Sequence, residues 1–433
     1  MSNRKIFILI VSLFFMWGFM SVIVDSFVPR LKEVFELSFF QAGLVQFAWF
    51  IAYGIFGIPS SSLLNRIGYK KSIVLALHIC AFGCLIFWPA SFYREYSLYL
   101  LGFFVVASGI SLLQVSANPY ITILGKPRLA ASRLNLAQAV NSIGTTIAPL
   151  FAASFFLSDS ILNVEEQSVL SSAELQSYYA SEATAVQLPF IFLAMVLTVM
   201  ALVFYFQKLP IIGQSVKGNY KKVFQNKKLR IGAFLIFLYV GVEVALGSYI
   251  VSYGLSLKID NLIMESPLLG KLSYLGASLS GNNLTEIDPK AIIGALVTLY
   301  WGGAMIGRFI GSYLTAQFPP HRILALFAAT AAVLVAATIS ASGITSILFL
   351  LSIGLFNSIM FPTIFTLAID DLGDQKPQGS GILVTAICGG AFIPPAVGGI
   401  ADAASFPVAF VLPLVCYIII GALAFRFLGQ SMN

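Results

Sequence analysis

The sequence predicts an all-α membrane protein of twelve transmembrane helices, arranged as two six-helix halves. Three observations carry that prediction. Of 433 residues, 58% are hydrophobic and only 10% are charged, whereas a soluble domain carries roughly a quarter charged residues. The apolar residues fall in runs of roughly 20 or more, the length that crosses a bilayer. A polar, basic stretch from Pro210 to Arg230 divides those runs near the middle of the chain. Helices follow from the solvent, because a helix satisfies its own backbone groups inside hydrocarbon.

The first span is predicted at residues 6–28. It is too long for the apolar core of a signal peptide, and no small-residue cleavage site follows, so it is expected to be retained. Spans two and three, 40–62 and 72–92, are separated by the short basic turn Asn65-Arg66-Ile67-Gly68-Tyr69-Lys70-Lys71. Spans four and five, 97–125 and 134–157, flank a turn bearing Lys126, Arg128 and Arg133. Ser158 to Gln187 carries five acids and no Lys or Arg, and reads as an external loop before span six at 187–208. The halves are therefore expected at 1–208 and 230–433, joined by a cytoplasmic linker at 209–229. Span seven, 230–256, is followed by a Gly-, Ser- and Asn-bearing loop over 257–290 that is expected to cap the outer face. Spans eight to twelve follow at 291–315, 322–341, 345–369, 378–400 and 405–427. Gly307-Arg308-Phe309-Ile310-Gly311 and the His321-Arg322 turn after span eight echo the turn after span two, the pattern of a duplicated unit.

The net charge of +7 needs no nucleic-acid partner. With the N-terminus inside, 19 of the 25 Lys and Arg residues fall on one side, and only Arg30, Lys32, Arg94, Lys258, Lys271 and Lys290 on the other. This is the positive-inside pattern of a multi-pass protein with both termini cytoplasmic. Cys80, Cys84, Cys388 and Cys416 all lie within spans. Cys80 and Cys84 stand one helical turn apart, but no acid or His shares their face, so they read as packing residues. Neither a disulfide framework nor a metal or other cofactor is expected.

Against this apolar background, two isolated acids stand out. Asp25 closes a long apolar run in span one, and Glu243 lies in Leu238-Tyr239-Val240-Gly241-Val242-Glu243-Val244 of span seven. A carboxylate in hydrocarbon costs several kcal/mol, roughly 3 on insertion scales. The plainer reading of Asp25 is a structural partner for a buried Arg, or a cap near the outer end of its helix. The functional reading is a poorly hydrated carboxyl that takes up and releases a proton near neutral pH. Glu243 fits the same role, or that of a sugar acceptor or sodium ligand.

Spans four and five are dense in amides. Gln114 and Asn118 stand at i,i+4 on one face, and Gln138 and Asn141 at i,i+3 on another. Interhelical hydrogen bonding is the plain account of any one of them. As a set they suit a hydroxyl-rich ligand, because amides both donate and accept. Trp17, Tyr239 and Trp301 lie at matching depth and offer ring faces to such a ligand, while Trp49 fits an interfacial anchor somewhat better. Asn357 in span ten joins the candidates for sugar contact. Arg66, Arg133 and Arg308 are candidates for gating or interdomain contacts, with Arg308 expected to pair with Asp370, Asp371 or Asp374. His78 reads as packing rather than a proton relay.

The turn Asn65-Arg66-Ile67-Gly68-Tyr69-Lys70-Lys71 resembles the 2–3 loop signature of the major facilitator superfamily, with Ser61 where Gly is usual. Gln41-Ala42-Gly43-Leu44-Val45-Gln46, Ser116-Ala117-Asn118-Pro119-Tyr120, Arg133 through Ser142 and Phe361-Pro362-Thr363-Ile364-Phe365 are similar to the fucose permease and glucose/galactose transporter family. The resemblance runs through nearly the whole chain. It implies the major facilitator fold and cation-driven sugar uptake, with Asp25 matching the coupling acid of helix one. The family's helix-four acid falls at Gln114 here, and Tyr239 to Glu243 with Leu299 to Gly303 is closer to the glucose/galactose branch.

The expected protein is thus a multi-pass symporter of the bacterial inner membrane, working as a monomer by alternating access. Its expected partners are a monosaccharide, a hexose such as glucose or galactose ahead of fucose, N-acetylglucosamine, mannose or fructose, together with H+ or Na+ and the lipid bilayer. A drug or organic-ion exporter on the same scaffold would favour a greasier cavity than these amides make. A sugar sensor is disfavoured because the termini are short.

Overall fold

Apolar runs that cannot bond to water bond to themselves, and helices account for nearly all of the described chain. The computed structural model describes residues 3–35, 37, 39–156, 167, 169–210, 220–279 and 289–428; for a few stretches within helices, 24–30 and 149–156 among them, it describes the backbone alone. Helix α1 is Asn3–Val34. The run Phe39–Tyr93 turns back at Gly68, whose φ of 79° is a left-handed conformation that suits only glycine, and so divides into α2 (39–67) and α3 (69–93). Then come α4 (Tyr96–Ile123), α5 (Ala130–Phe156), α6 (Ser172–Phe206), α7 (Lys227–Ser256), α8 (Pro289–Gln317) and α9 (Pro320–Ser340). Helix α10 joins Gly343–Asn357 to Met360–Ile369, α11 joins Lys376–Thr385 to Gly389–Ala403, and α12 covers 406–428.

Nine apolar segments among the described residues are long enough to cross a membrane. Two of them, Gly43–Tyr93 and Gly343–Ala403, turn back once, at Gly68 and at Asp370–Gln375. Together with α5, they are consistent with the twelve crossings predicted from the sequence. Those amides are hidden from lipid: Asn135, Gln138 and Asn141 are all buried. The opposite pattern marks the outer faces. Phe82, Leu85, Trp88 and Phe92 of α3 and Phe192, Met195, Val199 and Leu202 of α6 are exposed at helical spacing, as lipid-facing stripes are.

Three connections hold more helix than expected. Helix α6 begins at Ser172, not near 187, because Ser171 and Glu174 form a capping box: the Glu174 carboxylate accepts from the Ser171 N–H at 2.9 Å. Short helices Asp260–Glu265 and Pro267–Leu279 fill part of the connection before α8. The linker contributes Tyr220–Phe224, and Asn226 caps α7 by accepting from the Leu229 N–H at 3.0 Å.

The two sets of six helices meet along a seam that favours the linker side. Helix α2 lies against α11 so closely that a Cβ on Gly57 would stand 2.6 Å from the Thr385 nitrogen and 2.8 Å from the Gly381 carbonyl oxygen. On the other flank α5 meets α8, where Ser312 Oγ donates to the Ser132 carbonyl at 3.0 Å and Arg128 Nη2 to the Ala316 carbonyl at 3.4 Å. Ser380 of α11 donates to the Val115 carbonyl of α4 at 3.0 Å, and Asn135 Nδ2 donates to Thr363 Oγ1 of α10 at 3.2 Å. Along α5 and α8 this ladder of crossing bonds continues to mid-helix, up to the Thr146 hydroxyl and the Met305 sulfur, 3.7 Å apart. The state described is closed on the linker side.

Candidate functional site

Glu243 sits at the middle of α7, with its side chain only 13% exposed. Its nearest cation is Arg308 of α8, also 13% exposed, with Nη2 3.8 Å from Glu243 Oε1. That oxygen accepts no hydrogen bond. The Tyr239 hydroxyl, one turn away on α7, stands beside the carboxylate. Arg308 spends its other donors elsewhere: Nε on the Ser358 carbonyl at 3.3 Å, and Nη1 on Ser142 Oγ of α5, across the seam. Arg308 therefore touches both halves and the buried acid at once. Its expected partners after span ten are not its partners here. Asp371 binds Lys228 at 2.8 Å instead, because that turn packs on the start of α7 while Arg308 points to the interior.

Below this pair lies a ladder of hydroxyls. Tyr417 of α12 donates to Asn357 Oδ1, Asn357 Nδ2 donates to the Tyr300 hydroxyl at 2.5 Å, and Tyr300 donates to the Glu243 backbone carbonyl at 3.3 Å. Asn357 is fully buried and both ends of its amide are engaged. In this state it holds the two tyrosines together. Tyr417, an unremarked tyrosine in span twelve, is the member that sequence reasoning missed; its mid-span position in an otherwise apolar helix was the available signal. Trp301 packs edge-on against Tyr300, with ring centroids 5.1 Å apart, and remains 40% exposed.

In the first half, Asn141 and Trp17 are brought together where α5 crosses α1. Asn141 Nδ2 donates to the Phe14 carbonyl at 2.8 Å, and a Cβ on Gly18 would lie 2.5 Å from that nitrogen. Asn141 thus serves the helix contact at least in part. Trp17 is buried against Phe14, ring centroids 4.0 Å apart. Gln138, one turn from Ser142, is buried, and no hydrogen bond to its side-chain amide is seen among the described residues. Gln114 donates to the Tyr53 hydroxyl at 3.3 Å. Asn118 is fully buried, and neither atom of its amide has a hydrogen-bond partner among the described residues.

Asp25 is carried by α1, but its side chain lies outside the described residues. Arg66 is exposed at the α2–α3 turn, away from the central cluster. Arg133 is expected to bridge the halves, yet its three nitrogens each donate to a carbonyl of its own half, of Ile121, Thr122 and Lys126, at 3.1, 2.6 and 2.8 Å. It caps the end of α4, where a cation meets the negative end of the helix and its unpaired carbonyls. His78 is exposed on α3, and its Nδ1 lies 2.8 Å from the Val74 carbonyl of its own helix. The cysteines are free thiols, and Cys80 donates to the Val106 carbonyl at 3.6 Å.

This is a helical scaffold with a charged pair at mid-depth on the line between two bundles. The pattern that describes the Major Facilitator Superfamily matches residues 6–287. The chain is 42% identical over 409 residues to the glucose/galactose transporter of Brucella abortus, covering 94% of this chain and 90% of that protein. The chain belongs to the Major Facilitator Superfamily. Within the superfamily it is also 32% identical to the L-fucose-proton symporter of Escherichia coli, over 98% of this chain and 93% of that one. Its fold is similar to the crystal structure of the superfamily transporter FucP in the outward conformation, with a TM-score of 0.84, 30% identity and 100% of each chain covered.

Proposed function

We propose that this transporter takes up a monosaccharide, most readily a hexose such as glucose or galactose, together with a cation, H+ ahead of Na+. The observation that carries this reading is Glu243: a largely buried carboxylate whose neighbouring cation, Arg308, stands 3.8 Å away and is shared with Ser142 of the other half. An acid so placed gains or loses its claim on Arg308 as the halves move, which links its charge to the conformational state. Asp25 is the leading proton site, as the helix-one acid, and Glu243 is the second, linked to the sugar or to sodium. Gln114, Asn118 and Gln138 retain roles as sugar contacts, while Asn141 and Asn357 act through the helices and tyrosines they hold. The name of the Brucella abortus relative supports a hexose, and that of the Escherichia coli relative supports proton coupling.

The halves 1–208 and 230–433 rock about this centre, joined by 209–229. The excess of Lys and Arg on the linker side supports placing that side, with both termini, in the cytoplasm of a bacterial cell. The described state then faces outward, in keeping with its likeness to FucP in that conformation. Gly57 and Gly381 allow the tight closure. A thermal-shift screen of hexoses, deoxyhexoses and amino sugars, in sodium and in choline buffers, tests the reading. A hexose is expected to raise the melting temperature. If no monosaccharide shifts it and hydrophobic organic cations do, an exporter replaces the proposal.

A further inference from the structure

The linker re-enters the described chain at Tyr220, the first residue of the short helix before α7. Tyr220 Oη lies 2.7 Å from Ser61 Oγ and 2.7 Å from Ser62 Oγ, at the linker-side end of α2. The donors can be assigned. Ser61 directs its own proton to the Ile58 carbonyl at 2.9 Å, so its oxygen is left to accept the phenolic proton of Tyr220. Ser62 then donates to the Tyr220 oxygen. A third approach, to the Ile58 carbonyl at 3.4 Å, is long for an O–H donor.

Ser61 is itself part of the seam. A Cβ on Gly381 of α11 would stand 2.3 Å from Ser61 Oγ. It is also the position where the 2–3 loop signature usually carries Gly, which offers no hydroxyl to bind. The helix Tyr220–Phe224 packs on Lys376–Thr385 of α11 as well. One hydroxyl thus joins the linker to α2 at the place where α2 meets the other half.

We propose that Tyr220 is a positioning residue of the transport cycle, a strap that holds α2 against α11 and keeps the linker side closed. Phe224 is followed by Lys227, the start of α7, within a few residues, so the strap is anchored in the second half. When α2 moves away from α11, the Tyr220 hydroxyl has to leave Ser61 and Ser62. The inference rests on alternating access and on neither the sugar nor the cation.

Cys388 supplies the reporter. It lies on α11 against Gly54 of α2, where a Cβ would stand 3.2 Å from Cys388 Cβ, deeper in the seam than Ser61 and Gly381. With Cys80, Cys84 and Cys416 replaced by Ala, its reaction with a membrane-impermeant methanethiosulfonate is followed in inside-out and right-side-out vesicles. Tyr220→Phe removes both bonds and Ser61→Ala one of them, so labelling in inside-out vesicles is expected to speed up about 25-fold and about fivefold, the bias of two and of one net hydrogen bond. The double variant is expected to go no further than Tyr220→Phe alone, which already lacks the bond that Ser61→Ala removes. The melting temperature and sugar exchange are expected to hold, which a general loosening of the fold would not allow. Wild-type labelling from both sides in both single variants, or a double effect near the product of the two, overturns the strap. Faster labelling from the right-side-out face alone keeps the strap and overturns the proposed orientation instead.

Discussion

Replacing Glu243 by Gln removes a charge and keeps the shape of the side chain. Arg308 then loses a carboxylate 3.8 Å away, an attraction of about 4 kcal/mol at an effective dielectric constant near 20. It keeps the Ser358 carbonyl and Ser142 as acceptors. Removing one member of a buried pair is most destabilising when the survivor has nothing else to bind. The variant is therefore expected to fold, with a lower melting temperature. Its coupling is expected to fail. One positive charge carried with each sugar across about 100 mV contributes about 2.3 kcal/mol, and about 1.4 kcal/mol is a factor of ten, so the coupled protein can sustain roughly a 50-fold sugar gradient. In proteoliposomes with an imposed potential, wild type is expected to approach that ratio with labelled glucose. Glu243→Gln is expected to stop near 1 while still exchanging sugar at equilibrium. A variant that accumulates sugar as wild type does would remove Glu243 from the coupling route.

Four further outcomes follow from the same geometry. Asp25→Asn is expected to keep sugar exchange and lose uphill accumulation; concentrative uptake at the wild-type level contradicts its role. Gln138→Ala is expected to weaken sugar binding about fivefold to tenfold, the loss of one or two net hydrogen bonds, and calorimetric titration with unchanged affinity takes it out of the site. Asn357→Leu leaves the Tyr417 hydroxyl without its acceptor in the core, while Tyr300 keeps the Glu243 carbonyl; at about 1–3 kcal/mol for a buried group left unsatisfied, a drop in melting temperature is expected, and an unchanged melt argues against the ladder. Gly381→Val sets a branched side chain where even a Cβ meets Ser61 and Gly57, so Cys388 is expected to label faster in inside-out vesicles, and wild-type labelling shows that the seam has room.

The spans were legible because a bilayer imposes one requirement on every crossing, and composition records it directly. Polar connections were less legible. Ser171 and Glu174 extend α6 into a segment that reads as loop, since a capping box is a local bond that hydropathy does not register. Arg133 and Arg308 show the same limit from the other direction. Both are cations at the edge of apolar helices in sequence, yet one caps α4 within its own half and the other bridges both halves. Nothing in either local sequence separates those fates, because each depends on which carbonyls and hydroxyls a neighbouring helix brings within about 3 Å.

The sequence by itself determined that this chain lives in a bilayer and where it crosses. It also determined that isolated acids and clustered amides had to face protein rather than lipid, and which superfamily it resembles. Those properties follow from the transfer cost of each side chain, which is a property of the residue alone. Only the tertiary structure decided that Glu243 meets Arg308, that Asn357 is committed to two tyrosines, and that Tyr220 reaches Ser61 and Ser62. Those residues are 57 to 159 positions apart in sequence where they join separate elements. Their contacts depend on helix tilt and on glycines that let backbones close, and a distance of that kind exists only once the helices have packed.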